Sequence, residues 1–94
     1  MYFVYIMASH KNGTTYIGMT NDLHRRIFEH REKMVIGYTE QNRVVRLVYY
    51  EQYTDVRDAI TREKRMKKWN RPWKIELIEK TNSEWRDLWF DLNR

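Results

Sequence analysis

Five side chains in the first 63 residues of this chain are of types that could work together on a phosphodiester. Tyr5 and Tyr16 lie eleven positions apart, Arg26 follows by ten, His30 by four more, and Glu63 stands further on. Hydrolysis at phosphorus needs a base for water, neutralisation of charge on the phosphate and support for the leaving oxygen. Arg26 is fixed in charge, and its planar fork can hold two phosphate oxygens. His30 titrates near neutrality and can move a proton or bond the phosphate. On one helix the two share a face at i, i+4, whereas Arg25 points about a third of a turn away, toward a substrate track or solvent. A tyrosine is a poor base with its pKa near ~10, unless a metal ion or a cation depresses it. Glu63 could serve as a lone carboxylate ligand for Mg²⁺, which keeps waters and takes phosphate oxygens as further ligands. A surface ion pair with Lys67 would account for the same residue.

The elements that must position these groups follow from apolar patterning. Residues 2–7 are apolar on both faces and read as a central strand. Asn12-Gly13 signals a hairpin, and 14–18 returns as a second strand, so Tyr5 and Tyr16 can converge on one sheet face. Thr20-Asn21-Asp22 offers caps for a helix through Arg31, with Leu23, Ile27 and His30 on one side. Residues 33–42, with Gly37, read as a loop, and 44–50 as a third strand. Thr54-Asp55 caps a helix to about Trp69, with a face running Val56, Ile60, Glu63, Lys67. Asn70 precedes Arg71-Pro72, where proline is tolerated in a first turn, and a new helix carries Trp73, Ile75, Leu77 and Ile78. Asn82-Ser83 caps a last short helix with Trp85 and Trp89 at i, i+4. The expectation is an α+β domain, β-β-α-β-α-α-α, with a small three-stranded antiparallel sheet flanked by helices. It fills residues 1–94 as one domain, with 75–94 a helical extension.

Charge is concentrated. Residues 61–74 hold seven basic residues and one acid, a net +6, while the other eleven basic and twelve acidic residues leave −1. A localised basic excess is the footprint of a polyanion-binding surface. Lys64, Lys67, Lys68, Arg71 and Lys74 are the candidate phosphate contacts. Trp69 and Trp73 are interleaved with them, where their rings could stack on unpaired bases or simply pack the two helices together. The absence of cysteine excludes disulfides and thiolate chemistry. No apolar run approaches the ~20 residues of a spanning helix, and the N-terminus lacks a secretory pattern, so the expectation is a cytoplasmic protein with no membrane partner.

Val4-Tyr5-Ile6, Tyr16-Ile17-Gly18 and the stretch Asn21 to His30, followed by Glu63, resemble the core of the GIY-YIG nuclease superfamily over roughly residues 2–74. The first motif departs from the pattern, reading Phe3-Val4-Tyr5 without the glycine and isoleucine, but it keeps the tyrosine. The remainder resembles the small stand-alone bacterial branch. That resemblance implies a metal-dependent DNA endonuclease using Mg²⁺ or Mn²⁺. Tyr5 would be the base, Tyr16 and Arg26 would hold the phosphate, His30 would assist and Glu63 would take the metal. It also places a late asparagine near the site, for which Asn70 is the candidate, although helix capping explains Asn70 equally. The tryptophans tilt the expected substrate toward single-stranded or branched DNA, bound by a monomer. A non-catalytic nucleic-acid-binding module on the same fold is the alternative.

Overall fold

A computed structural model describes residues 1–32 and 44–92. The central strand β1 (Tyr2–Ala8) pairs antiparallel with β2 (Thr15–Thr20) on one side and β3 (Arg46–Tyr53) on the other, giving the order β2-β1-β3. Its apolar character on both faces follows from that position. Val4, Ile6 and Ala8 point into one layer, Tyr5 and Met7 into the other, and all five are buried. The β1–β2 hairpin turns through Asn12 at φ 60°, the left-handed region that asparagine tolerates. Gly13 donates its N–H to the His10 carbonyl at 2.9 Å.

Helix α1 (Leu23–Arg31) starts at Asp22, whose carboxylate accepts from the Arg25 N–H at 3.1 Å. Helix α2 (Val56–Lys68) starts at Asp55 in the same way, and α3 (Arg71–Thr81) at Asn70. A single turn, α4 (Trp89–Leu92), ends the described chain. Each cap satisfies one of the backbone donors that a helix start leaves unpaired. On one face of the sheet, Val4, Ile6, Ala8, Ile17 and Val48 meet Ala59 and Met66 of α2, Ile78 of α3, and Trp85. On the other, Tyr5, Met7 and Leu47 meet Leu23 and Ile27 of α1, with Leu88, Trp89 and Leu92 packed alongside. The element order and the antiparallel sheet agree with the sequence expectation. No helix among the described residues is long and apolar enough to cross a membrane. The loop expected over 33–42 lies outside the described residues.

Three expectations are corrected. Strand β3 runs past Tyr50 to Tyr53 because Glu51 is neutralised within it. Arg62 donates to Glu51 twice, at 3.0 and 2.9 Å, the Tyr53 hydroxyl donates at 2.6 Å, and the Tyr49 hydroxyl donates as well. These bonds hold the Glu51 carboxyl below its usual range against the opposing effect of its burial. The buried stripe of α2 is Ala59 and Met66, with Val56 only half-buried and Ile60 exposed. Trp85 and Trp89 do not share a helix. Trp85 sits at φ 55° in the turn before α4, buried on the α2 side, while Trp89 packs on the α1 side. Asn82 shapes that turn, donating to the Val48 and Arg86 carbonyls at 3.0 and 2.9 Å and accepting from the Arg86 N–H at 2.9 Å.

Candidate active site

Strand register brings the two tyrosines together. Tyr5 lies opposite Gly18 and Met7 opposite Tyr16, so Tyr5 and Tyr16 are diagonal neighbours on one face with ring centroids 6.4 Å apart. The Tyr5 phenol runs across Gly18. A Cβ at position 18 would stand 2.5 Å from the Tyr5 oxygen, 2.6 Å from its Cζ and 3.1 Å from the Tyr16 ring. Gly18 is therefore part of the site, because only a bare Cα leaves room for the phenol. The motif contained it, but spacing alone gave it no role.

Helix α1 supplies the next two groups. His30 Nε2 and the Tyr5 hydroxyl share a hydrogen bond of 3.2 Å, its direction set by the imidazole tautomer. The imidazole also meets the Tyr16 ring at 5.2 Å between centroids. His30 is 2% exposed, and its Nδ1 is buried with no hydrogen-bond partner among the described residues. Burial pushes its pKa down to about 4, with the Arg26 charge adding to the effect and Glu29 opposing it. The imidazole is therefore neutral at physiological pH. Burial pushes the Tyr5 phenol up to about 12; Arg26 pulls it down, while the charges of Tyr16 and Glu63 push it up. Arg26 is half-exposed and paired with Glu29 at 3.4 Å. Arg25 and Arg26 line one open cleft with Thr20, Asn21 and Glu29.

The depressed histidine links folding to acid. Between the unfolded pKa near 6.5 and the folded value of about 4, the unfolded chain binds one more proton than the folded one. Stability contributed by neutral His30 is therefore complete above pH 6.5 and lost as pH falls toward 4, by about 3 kcal/mol. His30→Gln cannot titrate. Urea unfolding at pH 4.5 and 7 should show a smaller loss on acidification in that variant than in the wild type.

Glu63 lies on the sheet-facing side of α2, and its carboxylate is paired with Lys67 at 3.4 Å. No group of three or more His, Cys, Asp or Glu among the described residues could hold a metal. The donor set fits a hard cation held by one carboxylate and completed by water and phosphate oxygens, the habit of Mg²⁺.

The basic segment divides once its contacts are known. Arg62 is bound to Glu51 and lies over the Trp69 ring at 4.9 Å. Lys67 pairs with Glu63, and Arg71 donates to the Asn12 and Gly13 carbonyls at 2.5 and 2.8 Å, tying α3 to the β1–β2 turn. Arg71, expected among the phosphate contacts, is thus engaged with the hairpin. Lys64, Arg65, Lys68 and Lys74 make no hydrogen bond or ion pair among the described residues. Asn70 accepts from the Trp73 N–H at 3.2 Å, which is the capping use. Trp73 is 56% exposed, while Trp69 packs against the core.

A three-stranded sheet with paired tyrosines on its central hairpin, and an arginine and histidine from the following helix, defines a particular class of domain. The family model described as the GIY-YIG catalytic domain matches residues 1–76, and the chain belongs to that nuclease family. Its relatives are small proteins. It is 35% identical over 78 residues to a UPF0213 protein of Staphylococcus epidermidis, covering 83% of this chain and 94% of that one. It is 38% identical over 78 residues to a UPF0213 protein of Clostridium perfringens, covering 83% of each. The solution NMR structure of a UPF0213 protein from Bacillus halodurans superposes with a TM-score of 0.57 at 28% identity, over 93% of both chains.

Proposed function

We propose that the chain is a divalent-metal-dependent DNA endonuclease that cuts by direct hydrolysis, favouring single-stranded or branched DNA. The observation that carries this reading is the Tyr5–His30 hydrogen bond, placed beside Tyr16 and within the field of Arg26 and Glu63. At rest Tyr5 is a neutral phenol, and forming free phenolate at pH 7 would cost about 7 kcal/mol at a pKa of about 12. His30 therefore holds the phenol hydrogen and receives it as Tyr5 takes a proton from the attacking water. The water oxygen bonds to phosphorus while the bond to the departing strand breaks. Arg26 and Tyr16 bind the phosphate oxygens through the change. Mg²⁺ or Mn²⁺ on Glu63 would supply further positive charge at the phosphate and at the phenol.

The substrate preference rests on exposed Trp73 in the same basic segment as Lys64, Lys68 and Lys74, which make no hydrogen bond or ion pair among the described residues. Binding by such cations falls steeply with salt, and stacking needs bases free to leave the duplex. The test is incubation with labelled single-stranded, branched and duplex DNA, with Mn²⁺ or with EDTA. Cleavage of the first two in Mn²⁺ alone is the expected result. Binding without metal-dependent cleavage of any substrate would favour the non-catalytic module instead. Because His30 is neutral above about pH 4 and Tyr5 stays a neutral phenol up to about pH 12, both relay groups are in their working states throughout and the cleavage rate should be flat from pH 6 to 9. A steady climb across that range would mean that free phenolate is the base, and a rise levelling off near pH 6.5 that an ordinary imidazole limits the reaction.

A further inference from the structure

We propose that the cleft at the junction of α2 and α3 is a base-reading pocket that takes one unpaired guanine; this rests on the nucleic-acid reading above and extends it to sequence preference. The cleft, of about 320 Å³, is lined by Trp69, Trp73, Glu76, Leu77 and Lys80. That is at the lower end of the range for small-ligand sites. The two indoles stand at 79° with centroids 6.1 Å apart, so one ring forms a floor and the other a wall.

The Trp69 indole is held from behind, and Trp73 is anchored through its backbone. Trp69 packs against the core under the Arg62 guanidinium, and the Trp73 backbone is fixed by the Asn70 cap. Arg71 secures the same helix start to the β1–β2 turn. A partly exposed aromatic corner fixed on its Trp69 side is a stacking platform for a base.

Glu76 gives the corner its selectivity. A carboxylate there repels phosphate, so it is out of place on a surface that only tracks the backbone. It makes no hydrogen bond or ion pair among the described residues, unlike Glu79 one turn along, which accepts from the Trp85 indole N–H at 2.7 Å. An ionised carboxylate is acceptor-only and matches two parallel donors best. Guanine alone among the DNA bases presents such a pair, N1–H and the N2 amino group, on its Watson–Crick edge. Adenine and cytosine offer one amino group beside an acceptor, and the thymine N3–H is flanked by two carbonyls. Lys80, one turn further along α3 and lining the same cleft, can donate to guanine O6, which adjoins N1 on that edge.

The experiment measures affinity in EDTA, where nothing is cut, for fluorescent dT12 and for versions carrying one central dG, deoxyinosine, dA or dC. The dG strand should bind about tenfold more tightly than dT12, with deoxyinosine, which lacks the N2 amino group, between them. Glu76→Gln should erase the advantage of dG over deoxyinosine while leaving dT12 affinity within about twofold. Trp73→Ala should weaken the dG strand to about the dT12 level. Equal affinity of the wild type for the dG and dT12 strands, or a preference for dG over deoxyinosine that survives Glu76→Gln, would overturn the guanine pocket and leave the nuclease reading standing. Failure to bind any of the strands would overturn both.

Discussion

Gly18→Ala is expected to cost this protein stability and nearly all cleavage, although alanine normally suits a strand better than glycine. Exchanging glycine for alanine in a strand interior usually gains roughly 0.5–1 kcal/mol. Here the added methyl would stand 2.5 Å from the Tyr5 oxygen and 2.6 Å from Cζ. The phenol cannot step aside, because it is buried and its hydroxyl is tied to His30 at 3.2 Å. Overpacking of this kind costs about 1–3 kcal/mol. Ordinary contact could be restored only by a shift approaching ~1 Å, and a misplacement of that size can cost about a hundredfold in rate. Urea midpoints and cleavage rates in Mn²⁺ measure the two effects. The double variant Gly18→Ala, Tyr5→Phe removes the clashing oxygen. It should recover part of the lost stability and none of the activity, which separates the packing effect from the chemistry.

The parts of the fold written in local patterns were legible in the sequence. The doubly apolar β1, Asn12-Gly13, and the caps Asp22, Asp55 and Asn70 each act through neighbours within a few residues, so spacing reveals them. The C-terminal turn was not legible, because Asn82 is organised by the Val48 carbonyl from β3, thirty-four positions earlier. The two tryptophans at i, i+4 suggested a helix stripe, yet they enter opposite sides of the sheet. Glu51 illustrates the same limit. As an acid after an apolar run it looked like a strand end, and only its distant partner Arg62 makes it a strand interior.

The same reasoning applies to the site. Arg26 and His30 could be placed on one helix face from their spacing, and the hairpin turn brought Tyr5 toward Tyr16. What composition could not show is how the charges are divided. Five of the seven basic residues over 61–74 were the expected phosphate contacts, but of these Arg71 is drawn to the hairpin carbonyls and Lys67 to Glu63, while Arg62 enters the Glu51 clamp. Counting charges gives the sign of a surface; the partners of each charge decide how much of it faces a ligand.

Glu63→Ala should lower metal-dependent cleavage by a thousandfold or more, with DNA affinity in EDTA unchanged or increased. Loss of preorganised charge stabilisation typically costs on the order of 10²–10³ for a single donor, and a metal ligand also governs the phenol beside it. Affinity should not fall, because removing the carboxylate frees Lys67, its partner at 3.4 Å. Tyr5→Phe should match that loss in cleavage, since only the hydroxyl goes. The control that decides the meaning is Lys67→Ala. If Glu63 served merely as the surface partner of Lys67, an interaction of a few tenths of a kcal/mol, both substitutions would change cleavage by little and by similar amounts. If Glu63 holds the metal, Lys67→Ala should weaken DNA binding several-fold while leaving turnover at saturating DNA close to wild type. Wild-type cleavage by Glu63→Ala would remove the metal from Glu63 and require another ligand for it.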